Sequence, residues 1–157
     1  MTAPSLSIVI PYYNDSTAVV RCLQSISDAL ALVPSRYLAP EIILVDDHSP
    51  DPFDASASPV ELRVLRLPKN LGVGAARNRG AALSHGSHLL FLDSDVMLDR
   101  QHLTRLYELL ETASARIIQG PTSVIPANPS PSMFHRYMAG SWRSEERRVG
   151  KECRSRW

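Results

Sequence analysis

Cysteine is scarce. Cys22 and Cys153 are the only two among 157 residues. They are too few for a disulfide framework and lack metal-ligand spacing, so the chain suits a reducing compartment. A surplus of one charge sign is missing as well, because 17 Lys and Arg against 16 Asp and Glu leave a net charge of +1. A dedicated nucleic-acid binder draws its affinity from a basic face that neutralises phosphates, and this balance argues against one. No apolar stretch approaches the ~20 residues of a membrane span. The amino terminus has no basic n-region, and its apolar run from Leu6 to Ile10 is short and broken by Ser7, unlike a signal peptide. There is no internal repeat. What is present is ordinary globular composition, 44% apolar and 21% charged. One domain is the natural expectation, able to bury about 70% of its unfolded surface.

Apolar runs and helical periods alternate along the chain. Leu6 to Ile10 reads as a buried strand ending at Pro11. Asp15 or Ser16 can cap a helix whose Val19, Leu23, Ile26 and Leu30 recur at helical spacing. Glu41 to Val45 is a second strand that runs into Asp46-Asp47. Leu62 to Leu67 alternates apolar residues with Arg, as a strand near an edge does. Gly72 to Leu83 reads as an Ala-rich helix with Gly86 near its carboxyl end. Leu89 to Leu92 is a fourth strand that leads into Asp93-Ser94-Asp95, and Asp99 can cap a helix through Leu110. A fifth strand over Arg116 to Val124 and a helix over Met133 to Trp142 complete the expectation. Strands of continuous apolar character separated by helices define an α/β fold, a mostly parallel sheet with helices on both faces. Ligands of such sheets bind at the carboxyl ends of the strands, near a topological switch point. The aspartates that close the second and fourth strands would gather there.

The charge total hides an asymmetry. Ser144 to Trp157 holds five basic residues (Arg147, Arg148, Lys151, Arg154, Arg156) against Glu145, Glu146 and Glu152, a net of +2 that leaves 1–143 at −1. This charged stretch, 144–157, resembles a terminal string appended to unrelated chains by read-through into non-native DNA. The alternative is a native basic tail that touches an anionic membrane surface.

Three features carry chemistry. Asp93 and Asp95, two apart on an extended segment, present their carboxylates to one side. Paired carboxylates suit Mg²⁺ or Mn²⁺, which take one or two of them plus substrate phosphates; a strand-end turn is the bland alternative. Asp46 and Asp47 are adjacent, so on an extended strand only one faces a site. That one could accept from a ribose hydroxyl or a base N–H, and the alternative is an Asx turn with Ser49 and Pro50. Gly72 and Gly74 permit close backbone approach at a helix start, whose free N–H groups attract an anion. Arg77, a turn further on, adds a charged donor for phosphate.

Four segments in register resemble glycosyltransferase family 2, inverting enzymes of the GT-A fold: Ser7-Ile8-Val9-Ile10-Pro11-Tyr12-Tyr13-Asn14, Val45-Asp46-Asp47-His48-Ser49, Asn70-Leu71-Gly72-Val73-Gly74-Ala75-Ala76-Arg77-Asn78-Arg79-Gly80, and Phe91-Leu92-Asp93-Ser94-Asp95. His48 departs from the small or polar residue, such as Gly, usual there. The resemblance implies that Pro11, Tyr12, Tyr13 and Asn14 line a nucleotide pocket. It implies that Asp47 bonds the base with Asp46 beside it, that Gly72, Gly74 and Arg77 approach the nucleotide and diphosphate, that Asp93 contacts the ribose, and that Asp95, with Asp93, holds the metal. The implied reaction moves a sugar from a UDP- or GDP-sugar to a hydroxyl of a glycan, lipid-linked or other acceptor, with inversion, as in cell-envelope polysaccharide synthesis. The implied place is the cytoplasm, or the inner face of the cell membrane.

Inversion needs a general base for the acceptor proton. In the family this is an Asp or Glu well downstream of Asp-x-Asp, and neither Glu108 and Glu111 nor the tail glutamates have a matching context. The expectation is therefore that 1–143 is the donor-binding part of a longer catalytic domain, inactive alone, a nucleotide-sugar-binding module without turnover. Two other classes fit less well. A Rossmann dinucleotide site wants a third glycine where Arg77 stands. A haloacid-dehalogenase-type phosphatase would use Asp93 as nucleophile, but Met97 stands where Thr or Val belongs, and the only lysines are Lys69 and Lys151.

Overall fold

A computed structural model describes residues 5–112. Its elements run β1 (Leu6–Tyr12), α1 (Ser16–Leu30), β2 (Glu41–Asp46), a 3-10 turn (Ala55–Ala57), β3 (Arg63–Arg66), α2 (Val73–Leu83), β4 (His88–Phe91) and α3 (His102–Thr112). The expected fifth strand, the helix from Met133 and the tail 144–157 lie outside the described residues.

The four strands form one parallel sheet in the order β3-β2-β1-β4. Residues of even number from β1 and β2 (Ile8, Ile10, Tyr12, Ile42, Leu44) face α1 and α3 in the larger core. Val9, Ile43 and Val45 face the other way, onto Ala76 of α2. Helices thus cover both faces, as the continuous apolar strands imply. Asp15 caps α1 by accepting from Ala18 N at 2.9 Å. Tyr107 of α3 stacks on Tyr37 and donates to Leu38 O at 2.7 Å. None of the described helices is long and apolar enough to cross a membrane.

Two sequence expectations are corrected. Pro11 does not end β1, which continues to Tyr12 with Pro11 in register with Val45. Val9 O accepts from Leu92 N on the β4 side, and Tyr12 O accepts from Asp47 N on the β2 side. Odd residues of β1 therefore bond toward β4, and β4 ends at Phe91, opposite Val9. Pro11 points its missing N–H past the end of β4, where a proline costs no ladder bond. Gly86 is also not a helix terminus, since α2 is capped at Ser84. A Cβ on Gly86 would lie 2.6 Å from Ser7 N, so close backbone approach is what demands glycine there.

The chain steps from β1 out through β2 to β3, then crosses to the far side of β1 for β4. The switch point lies between β1 and β4, and their carboxyl ends open onto the segments 12–15 and 92–95.

Candidate functional site

The four rim aspartates fall into two unlike pairs. Asp46 is 1% exposed and Asp47 is 4% exposed. Asp46 accepts from Ser49 N at 2.8 Å through Oδ1 and from Arg66 Nη1 at 2.6 Å through Oδ2. This is the Asx turn weighed as the alternative for the pair, reinforced by an ion pair. Asp47 accepts from Leu71 N at 2.8 Å and Gly72 N at 2.7 Å, one on each oxygen. The two N–H groups at the start of the Gly72 loop are therefore held by Asp47, which stands where an outside anion was expected. A carboxylate has about four lone-pair sites, so Asp47 keeps acceptor capacity for a further donor.

Asp93 and Asp95 are both exposed at the end of β4. Arg77 of α2 donates to Asp93 Oδ1 at 2.5 Å. The Arg77 Nε is buried and has no partner among the described residues. The expected phosphate donor and the expected ribose acceptor thus neutralise each other. No described residue bonds or pairs with the Asp95 carboxylate. Beneath them Cys22 points its Sγ at Asp93 O, 3.8 Å away. Burial first, then the Asp95 and Asp93 charges, push the Cys22 thiol up to about 12, so it stays neutral and unreactive.

Among the described residues there is no cluster of three or more His, Cys, Asp or Glu able to enclose a metal ion. A hard divalent cation needs less here, since one or two carboxylates suffice when substrate phosphates supply the remaining oxygens. The open Asp95 carboxylate and the unbonded oxygen of half-exposed Asp93 fit that donor set.

The end of β1 is divided too. Pro11 and Tyr12 are buried, and Tyr12 packs edge-on against Phe53 at 5.7 Å. Burial first, and then the Asp46 charge, raise the Tyr12 hydroxyl pKa, against a hydrogen bond with Ser49 that lowers it. Tyr13 and Asn14 stand exposed on the rim. Asn14 adopts φ +55° and His48 φ +62°. Left-handed backbone explains why a glycine would sit easily at position 48. His is among the residues that tolerate it, and the His48 Nδ1 lies 3.1 Å from Leu67 O. Gly72 has φ +86°, while a Cβ on Gly74 would meet nothing within 4 Å. Only Gly72 is required by the backbone.

Arg66 and Ser49 belong to this rim and were not singled out as site residues. The register sets Asp46 beside Arg66 across β2 and β3. Sequence shows an Arg on an edge strand, but only strand pairing reveals its carboxylate.

The sheet is a parallel α/β sheet with its switch point between β1 and β4, and its acidic turns lie at the strand ends where ligands of such sheets bind. The chain belongs to Glycosyl transferase family 2, whose sequence profile matches residues 7–154. It is 32% identical over 117 residues to the succinoglycan biosynthesis protein ExoO of Rhizobium meliloti, a match covering 73% of this chain and 32% of that protein. It is also 32% identical over 117 residues to human polypeptide N-acetylgalactosaminyltransferase 14, covering 73% of this chain and 21% of that one. Among solved structures, S. aureus TarS 1-349 in complex with UDP superposes with a TM-score of 0.58 at 24% identity, covering 68% of this chain and 32% of that chain. That likeness establishes the GT-A fold. The chain spans about a third or less of these proteins.

Proposed function

We propose that this chain carries the donor half of an inverting glycosyltransferase, which moves a sugar from a UDP- or GDP-sugar to an acceptor hydroxyl. The observation that carries the reading is the grouping at the switch point. Exposed Asn14, the Arg77–Asp93 pair and the open Asp95 carboxylate lie on segments that meet where β1 and β4 end. Charge of both signs is available there, as a diphosphate with its cation requires. Membership of the family and the UDP complex of its structural neighbour TarS support a nucleotide ligand.

In this reading Arg77 turns from Asp93 to a phosphate oxygen, which frees Asp93 for the ribose or the cation. Asp95, with Asp93, holds Mg²⁺ or Mn²⁺, which when bound neutralises the diphosphate and stabilises it as a leaving group. Asp47 fixes the Asn70–Gly74 loop against the rim and offers its remaining lone pairs to the base. Pro11 and Tyr12 form the floor under Tyr13 and Asn14. Glycan, lipid-linked or other hydroxyl acceptors, the acceptor's base, and peripheral placement at the inner face of a membrane belong to the same reading.

Calorimetric titration of UDP and GDP, each with and without Mn²⁺, tests it by measuring binding, independent of turnover by these residues alone. The expected result is binding of one nucleotide that strengthens with Mn²⁺, and loss of the Mn²⁺ effect in Asp95→Ala. Binding of NAD with neither UDP nor GDP would overturn the reading.

A further inference from the structure

We infer that Arg66 and Ser49 are positioning residues that set the nucleotide rim from behind, an inference resting on the donor-site reading. Four hydrogen bonds run from the sheet edge to that rim. Arg66 Nη1 donates to Asp46 Oδ2 at 2.6 Å, and Arg66 Nη2 donates to Ser49 O at 2.8 Å. Ser49 N donates to Asp46 Oδ1 at 2.8 Å. Asn14 N then donates to Ser49 Oγ at 2.9 Å.

Three physical points give this chain of bonds its role. Asp46 and Ser49 are buried, so each depends on protein partners rather than water. Asn14 and His48 flank the relay in left-handed backbone, a conformation that both residue types tolerate and that the relay's bonds hold in place. Arg66 reaches a carboxylate and a carbonyl with two separate nitrogens of one rigid planar fork, a spacing that the single nitrogen of an ammonium does not reproduce. The loop after β2 and the loop after β1 are thereby locked into one surface, and Asn14 is its exposed edge. Arg66 is an edge-strand residue that needs to touch no nucleotide to fix where Asn14 stands.

The test uses the 157-residue chain and two variants, Arg66→Lys and Ser49→Ala. Amide hydrogen exchange by NMR, without nucleotide, reads the relay directly. Calorimetry with UDP and GDP reads its consequence. In both variants the Asn14 amide is expected to exchange about fivefold faster, the effect of one lost hydrogen bond, while Leu23 and Ile26 amides stay unchanged. Affinity for whichever nucleotide the wild type binds should fall by a similar factor in a Ser49→Ala chain that remains folded. A merely structural role would not produce that split. If Arg66→Lys unfolds the chain, Ser49→Ala decides, because it leaves the Arg66–Asp46 pair intact. Unchanged Asn14 exchange in a chain that binds UDP or GDP overturns the relay alone. Faster exchange in a chain that binds neither overturns the donor reading, and the positioning role with it.

Discussion

Asp47 holds two backbone N–H groups with one carboxylate, and no hydrogen bond or ion pair from a described residue holds the Asp95 carboxylate. The same side chain therefore does opposite work at two strand ends. Hydrogen bonds to a charged acceptor are worth about 1.5–3 kcal/mol each, and their loss leaves the Leu71 and Gly72 donors to find water. Asp47→Ala is accordingly expected to cost about 2 kcal/mol or more of stability. Asp95→Ala, at an exposed position, should stay within about 0.5 kcal/mol of wild type. Urea unfolding of the two variants checks this, and equal midpoints would show that Asp47 does not anchor the Gly72 loop. The contrast also separates two kinds of functional loss. Asp95 variants should lose metal-dependent binding while folded, whereas Asp47 variants lose binding together with the loop.

Helix α2 lies on the sheet through Gly80, where a Cβ would come within 2.3 Å of Val9 Cγ1 and 3.1 Å of Val45 Cγ2. Val9 is fully buried in the centre of the sheet and has no room to yield. Gly80→Ala is expected to destabilise by about 1–3 kcal/mol, although alanine is the better helix former. The cause can be isolated in a double-mutant cycle with Val9→Ala, measured by thermal or urea unfolding. The double variant should cost less than the two single changes together, because each relieves the other. Strict additivity would place the strain elsewhere. This contact was beyond the reach of sequence, as were the correct readings of Pro11 and Gly86. Helix α1 was legible because its apolar period is local, with Val19, Leu23 and Ile26 all buried. Among the described strands β3 lies at the edge, as its alternating arginines imply. The Arg66–Asp46 pair was not, because register and strand order join residues 20 apart. The motifs place the expected aspartates at the ends of β2 and β4. What they could not convey is that Asp46 and Asp47 spend their bonds inside the protein while Asp93 and Asp95 face solvent.

Acid titration acts on the molecule through two groups at separate places. Burial lowers the His102 pKa below its ordinary 6.5, helped by the Arg105 charge and opposed by Asp99. Burial raises Glu41, but hydrogen bonds from the His85 backbone and ring and from Ser7 outweigh it and leave the carboxyl below its ordinary 4.5. Both folded-state pKa values are depressed, so in both cases the unfolded chain binds protons more readily. Stability is then complete above the unfolded pKa and is lost as pH falls through the folded one. His102 should begin to erode stability below about 6.5, and Glu41 should add its share only below about 4.5. Glu41 sits at the amino edge of the sheet, where it ties Ser7 of β1 and the His85–Gly86 turn to β2. His102 starts α3. The two groups stand on separate elements, β2 and α3, about 60 residues apart in the chain, so their effects should add. Urea unfolding from pH 8 to pH 3 is expected to show two successive losses of midpoint. His102→Gln should flatten the upper one and leave the lower in place. Glu41→Gln should flatten the lower one and reduce stability already at neutral pH, because an amide replaces the charged acceptor of three hydrogen bonds. A stability that rises as pH falls through 6.5 would contradict the sign for His102, and with it the partly buried imidazole at the start of α3.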